Sequence, residues 1–156
     1  MAVQPVPQGY HALTPYLIIN GAAAAVEFYK AAFGATERMR LDAPGGKLGH
    51  CELEIGGSVL MLADEAPGQN CRAPSSLGGT PVLLHLYVPD VDATLTRAVA
   101  AGAGAVVERP AEDMFYGDRN ASIRDPFGHC WSLATHIEDV SPEEISRRMR
   151  EKFGAG

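Results

Sequence analysis

Hydrophobic and polar residues alternate most regularly along KLGHCELEI (residues 47 to 55). His50, Glu52 and Glu54 share one parity there and Cys51, Leu53 and Ile55 the other, the signature of a strand with one covered face. The apolar set is expected to pack under a helix, leaving the polar set to a cleft or to water. The same period of two returns in HCWSLATH, with Cys130, Ser132 and Ala134 on one side and His129, Trp131 and Leu133 on the other. Upstream, AAAAVEFYKAAF places Val26, Tyr29 and Phe33 on one helical stripe, with Gly21 at its start and Gly34 at its C′ position. Strands over residues 12 to 19, ATERMRLD and SVLMLAD complete the order βαβββ.

After a Gly-, Pro- and Ser-rich stretch the order repeats: VLLHLYVPD, the helix VDATLTRAVAAG closed by Gly102, then AVVERP, GDRNASIRD and HCWSLATH. The chain therefore reads as α+β, two tandem βαβββ modules at residues 1–65 and 82–138, joined by a loop over 66–81. A C-terminal helix occupies 139–156, with Ser141, Pro142 and Glu144 as a capping box and Ile145, Met149 and Phe153 on one apolar face that needs a cover. Asp125-Pro126-Phe127-Gly128 has the residue order of a tight turn.

Composition narrows the setting. With 46% hydrophobic residues in 156, the chain can bury a real core, and a net charge of −6 without a basic run excludes nucleic acid and anionic membranes as expected partners. No stretch approaches the roughly 20 apolar residues of a membrane span, and no signal peptide is evident, so a cytoplasmic location is expected. Cys51, Cys71 and Cys130 show no CxxC spacing and are read as free, mostly buried thiols. GAAAA and GAGA lack the spacing and the lysine of a phosphate loop.

The helix signature VEFYKAAFGA, the closing DPFGHxW strand and the duplicated βαβββ order resemble the vicinal oxygen chelate superfamily of glyoxalases, bleomycin resistance proteins and dioxygenases. GYHALTPYLIINGAAAAVEFYKAAFGA, KLGHCELEIGGSVLMLADE, LLHLYVPDVDA and FYGDRNASIRDPFGHCWSLATHIEDVSPEE look like its PhnB-like branch. The resemblance implies curved mixed sheets forming a half-barrel cleft with the helices outside, and a homodimer. Metal-using relatives place one ligand on the first and one on the last strand of each module. Carried onto this sequence, those positions are Thr14, Met61, Leu83 and Ser132, none of which is His, Glu or Gln. A hydroxyl or an aliphatic side chain does not supply the charge or donor strength that holds a divalent cation, so no metal ligand and no cofactor are assigned. A divalent metal at a nonstandard site stays open.

Parity puts His85 and Tyr87 on the face of Leu83 and Ser132, together with Cys130 and His136. A concave surface carrying His50, Glu52, His85, Tyr16 and Tyr87 beside the apolar Met61 suits a small organic ligand with a few polar groups. His50 or His85 is a candidate general base, with Glu52 orienting an imidazole; each is equally readable as a solvated strand residue. In EDMFYGDRN, Phe115-Tyr116 followed by Asp118 and Arg119 could stack a planar ligand or clamp a carboxylate, with Tyr116 and Arg119 as contacts; alternatively Phe115 fills a gap and Asp118 pairs with Arg119. Trp131 is expected in the core, and His129 carries no assigned role. The expected function is binding of a small organic ligand in the inter-module cleft without the usual metal centre. The alternative is an enzyme of lyase, isomerase or dioxygenase type, using a displaced metal site or His/Glu acid–base chemistry.

Overall fold

A computed structural model describes residues 3–66, 68–102 and 104–154. The first module consists of β1 (Tyr16–Ile19), α1 (Ala22–Phe33), β2 (Thr36–Ala43), β3 (Lys47–Ile55) and β4 (Ser58–Asp64). A short helix α2 (Pro74–Leu77) lies in the connection, a segment the composition reads as loop. The second module follows as β5 (Leu83–Tyr87), α3 (Val91–Ala101), β6 (Val106–Asp113), β7 (Asp118–Arg124) and β8 (Cys130–His136), and α4 (Pro142–Phe153) ends the chain. The strand orders are β1-β4-β3-β2 and β5-β8-β7-β6, the first pair parallel and the rest antiparallel in each sheet. The duplication is thus real at the level of topology, and the described strands form two open four-stranded sheets. No described helix is long and apolar enough to cross a membrane.

α1 and α3 each lie on the apolar face of their own sheet, and the two modules share one core. Cys51, Leu53 and Ile55 are buried under α1, as their alternation predicts, while Ala121, Ile123, Trp131 and Leu133 form the matching layer of the second sheet. The helices pack on each other, and a cluster of rings joins the modules: Phe33 and Tyr29 lie 4.7 and 5.4 Å from Trp131, and Phe28 lies 6.2 Å from Phe127. Such ring pairs add about 0.5–1.5 kcal/mol each beyond the area they bury. Asp125, only 2% exposed, anchors this junction. One of its carboxylate oxygens accepts from Phe127 N and His129 N, closing its own turn, and the other accepts from Tyr29 Oη at 2.6 Å and Trp131 Nε1 at 2.9 Å. Burial, and after it the Asp125 charge, pushes the Tyr29 hydroxyl well above its usual pKa, so it stays protonated as the donor. His129 has a structural part as well: its Nε2 meets the Ile18 carbonyl at 3.0 Å, across the module boundary.

Several boundaries differ from the sequence expectation. β1 begins at Tyr16 rather than residue 12, because Pro15 has no N–H for a ladder, so Thr14 lies ahead of the strand. β6 continues past Pro110 to Asp113, with two register shifts around Arg109, a tolerated pattern on an edge strand. Gly34 adopts the expected left-handed C-cap (φ 68°), but Gly102 is extended. A Cβ at Gly102 would sit 2.8 Å from Phe28, so close packing, not turn geometry, requires glycine there. Ser141 caps α4 through Glu144 N, whereas the Glu144 side chain turns to Arg147 and Arg148 instead of closing the box. Cys51 is buried as expected, whereas Cys71 is exposed.

Candidate functional site

The face of each sheet turned away from the helices is polar. On the first, Glu52 pairs across strands with Met61, and Met61 with Tyr16, which puts all three in one row. His50 is the next residue of that parity on β3. The side chains join in a chain: Tyr16 Oη to His50 Nδ1 at 2.7 Å, His50 Nε2 to Glu52 Oε1 at 3.2 Å, and Tyr10 Oη donating to Glu52 Oε2 at 2.5 Å. Glu52 is only 4% exposed, and the Tyr10 hydrogen bond, followed by that of His50, holds its carboxyl below the usual range. Reciprocally, the bond to Glu52 raises the Tyr10 hydroxyl, and burial raises that of Tyr16. A cavity of about 580 Å³ lies at one end of this face, with Tyr16, Ile18, Leu48 and Ala63 in its walls and Glu65, Ala66, Gln69 and Cys71 also lining it. Its floor is fixed by Asp64, which accepts from Gly21 N, Ala22 N and Leu48 N and so ties α1 to the strands beneath.

On the second sheet, His85 stands opposite Ser132, as parity predicts, with Nδ1 2.9 Å from Ser132 Oγ. Asn120 Nδ2 donates to the same oxygen at 2.9 Å, and Asn120 Oδ1 accepts from Arg109. Further along the face, Asp118 is 4% exposed and accepts from Tyr87 Oη at 2.8 Å, a bond that raises the tyrosine's pKa. His136 Nδ1 meets the other Asp118 oxygen at 2.8 Å, and its Nε2 meets Asp139 at 2.9 Å. Tyr116, Tyr87 and Ile145 of α4 enclose a second hollow of about 530 Å³ beside this group.

Three expectations need correction. Arg119 does not pair with Asp118 and does not face the cleft: β7 starts at Asp118, so Arg119 has the parity of Ala121 and Ile123 on the helix side. There it is held by Asp92 at 2.7 and 2.9 Å and Asp113 at 2.9 Å, which leaves no free edge for a ligand carboxylate. Phe115 packs on Phe153 of α4 (6.0 Å) rather than in the core. The apolar face of α4 remains largely open, with Met149 52% and Phe153 67% exposed. Tyr10, Asn120 and Arg109 are site residues that sequence reasoning missed; Asn120 alone had a signal, since it shares parity with Ser122 opposite Ser132.

The positions where metal-using relatives carry ligands do not fit a divalent ion. Thr14 and Leu83 line a groove of about 310 Å³ between the edges of the two sheets, with His11 and His85 also in its walls; Met61 offers a thioether, and Ser132 is already engaged by His85 and Asn120. Among the described residues, no three His, Cys, Asp or Glu side chains converge as a metal site.

Two βαβββ modules with these polar faces define a class, and the comparisons agree with it. The sequence model of the glyoxalase/bleomycin resistance protein/dioxygenase superfamily matches residues 10–133, and the chain belongs to that superfamily. An uncharacterized Mycobacterium tuberculosis protein, Rv0887c, is 46% identical over 141 residues, covering 88% of this chain and 82% of that one. Among solved structures, TioX from Micromonospora sp. ML1 is 28% identical with a TM-score of 0.64, over 81% of this chain and 99% of that one. The PhnB protein of Bacillus cereus, 17% identical with a TM-score of 0.62 over 80% of this chain and 99% of its own, shares the fold.

His136 carries a prediction of its own. A neutral imidazole has one N–H and can donate to only one carboxylate, so holding both Asp118 and Asp139 requires the imidazolium. The Asp139 bond, then the Asp118 bond, raises its pKa above the ordinary histidine value. Because the folded-state pKa lies above the unfolded one, the link is complete below about pH 6.5 and is lost as pH rises through the raised value. Amide exchange over residues 137–145, corrected for intrinsic rate, is expected to be faster near pH 9 than near pH 6. Asp139→Asn should abolish the difference; a pH-independent profile in the unsubstituted protein would contradict the link.

Proposed function

We propose that the protein binds a small organic ligand against the polar faces of its sheets, with no divalent ion between protein and ligand. The apolar part of the ligand lies on Met61 and in the cavity beside Tyr16, and its polar groups meet the Tyr16–His50–Glu52 chain. The observation that carries this reading is Glu52, a buried carboxylate on the face turned away from the helices, wired to His50 and Tyr10 and set in one cross-strand row with Met61 and Tyr16. A second copy of the chain is the proposed cover for the rest of these faces, on which Tyr16 (46%), Leu41 (55%), Leu83 (58%) and Tyr87 (58%) are exposed.

A second reading has its own observation. Glu52 on one side of the His50 ring and the Tyr16 hydroxyl on the other make an oriented acid–base unit, the arrangement a proton-transfer enzyme needs. Titration with 2-naphthamide, an uncharged planar probe, tests the binding reading. The unsubstituted protein should bind it, and Met61→Lys, which places a charge in the apolar patch, should weaken it by about tenfold, or roughly 1.4 kcal/mol. Equal affinity in the Met61→Lys protein would remove this face from the site.

A further inference from the structure

We propose that the row Arg109–Asn120–Ser132–His85 on the second sheet is an anion subsite that takes the carboxylate of an organic acid ligand. The inference rests on the reading above that this face is a wall of the ligand site; it adds which chemical group the wall selects. The row follows from register, since His85 pairs with Ser132, Ser132 with Ser122 and Ser122 with Arg109 across β5, β8, β7 and β6.

The arginine at one end of the row orients the amide beside it. Arginine only donates, so the Asn120 atom it meets is the oxygen, and the Asn120 amide nitrogen must point to Ser132. Ser132 Oγ therefore accepts from Asn120, and its remaining lone pair and hydroxyl proton serve either tautomer of His85 at Nδ1. The row ends in a guanidinium on one side and an imidazole on an exposed residue on the other.

The guanidinium is under-used. Its Nη2 reaches Asn120, its Nη1 has the Met114 sulfur and a Glu112 carboxylate oxygen each at 3.9 Å, and its Nε is buried without a partner. The nearest carboxylate, Glu112, stands at 3.9 Å, outside hydrogen-bond reach. Its neighbours on β7 differ: Arg119 is held on both edges by Asp92 and Asp113, and Arg124 has Glu108 at 3.3 Å. A guanidinium with an amide, a thioether and one carboxylate at the limit of ion-pair distance for partners gains charge-assisted bonds at its exposed nitrogens when an oxyanion arrives, and the planar fork favours a carboxylate.

The test compares 2-naphthoate with 2-naphthamide, which differ in charge and little in shape. The unsubstituted protein should bind the carboxylate about tenfold or more tightly than the amide. Arg109→Gln, which can still donate to Asn120, should equalise the two, and Arg109→Lys should keep part of the preference; circular dichroism melts confirm that each variant folds. Equal affinity for the two probes in the unsubstituted protein, or a preference that survives Arg109→Gln, would overturn the anion subsite while leaving the ligand-binding reading in place. Failure of the folded, unsubstituted protein to bind either probe would overturn both.

Discussion

Asp125→Ala is expected to lower stability by about 3–5 kcal/mol, the range seen when one partner of a buried charged hydrogen-bond network is removed. The substitution strands the Tyr29 hydroxyl and the Trp131 indole N–H in the core and leaves two backbone N–H groups of the turn without acceptors. Tyr29 is fully buried and Trp131 is 3% exposed, so water does not replace the lost acceptor. The damage also crosses the module boundary, because Tyr29 belongs to α1 and Trp131 to β8. Asp125→Asn keeps an acceptor for the turn but faces Tyr29 and Trp131 with an amide donor, and should fall between. Urea unfolding followed by the fluorescence of Trp131, the single tryptophan, measures the change directly. A loss under about 1 kcal/mol would mean that the carboxylate is not the junction described.

Gly117→Ala should be nearly as damaging but local. Gly117 has φ 99°, and a Cβ there would lie 2.2 Å from the Glu138 carbonyl oxygen and 2.9 Å from Val140 Cγ2. Left-handed backbone costs a non-glycine residue about 1–2 kcal/mol, and overpacking adds about 1–3 more. The atom struck first is backbone, held by Ile137 N and Glu138 N donating to the Gly117 carbonyl, so the segment cannot step aside without breaking those bonds. Amides from Ile137 through α4 should lose exchange protection while β3, β4, β7 and β8 keep theirs. Uniform loss across the chain, or none, would contradict this placement.

Much of the architecture is legible because each device is local. Alternation in KLGHCELEI and HCWSLATH fixes which side chains face a helix, and Asp125-Pro126-Phe127-Gly128 forms its turn with Gly128 N donating to Asp125 O at 3.1 Å. Parity likewise puts His85 on Ser132 and Tyr16 beside Met61. What escapes is set by tertiary contact. Tyr10 precedes any strand and reaches Glu52 from 42 residues away, so no periodicity marks it. Arg109 sits between two register shifts near Pro110, where counting by twos loses its phase. Arg119 fails for a related reason: reading residues 115 to 119 as one platform ignores that strand parity begins at Asp118. Nor does any local pattern say how one module docks on the other; that depends on Asp125 meeting Tyr29 and His129 meeting Ile18.

The central claim, that ligand is held by side chains and not through a cation at Thr14, Met61, Leu83 or Ser132, is tested most directly by titrating 2-naphthamide into chelator-treated protein and into the same protein with added Mg²⁺, Mn²⁺ or Ni²⁺. The account predicts one affinity under all conditions. Binding that appears only when a divalent metal is restored would contradict it.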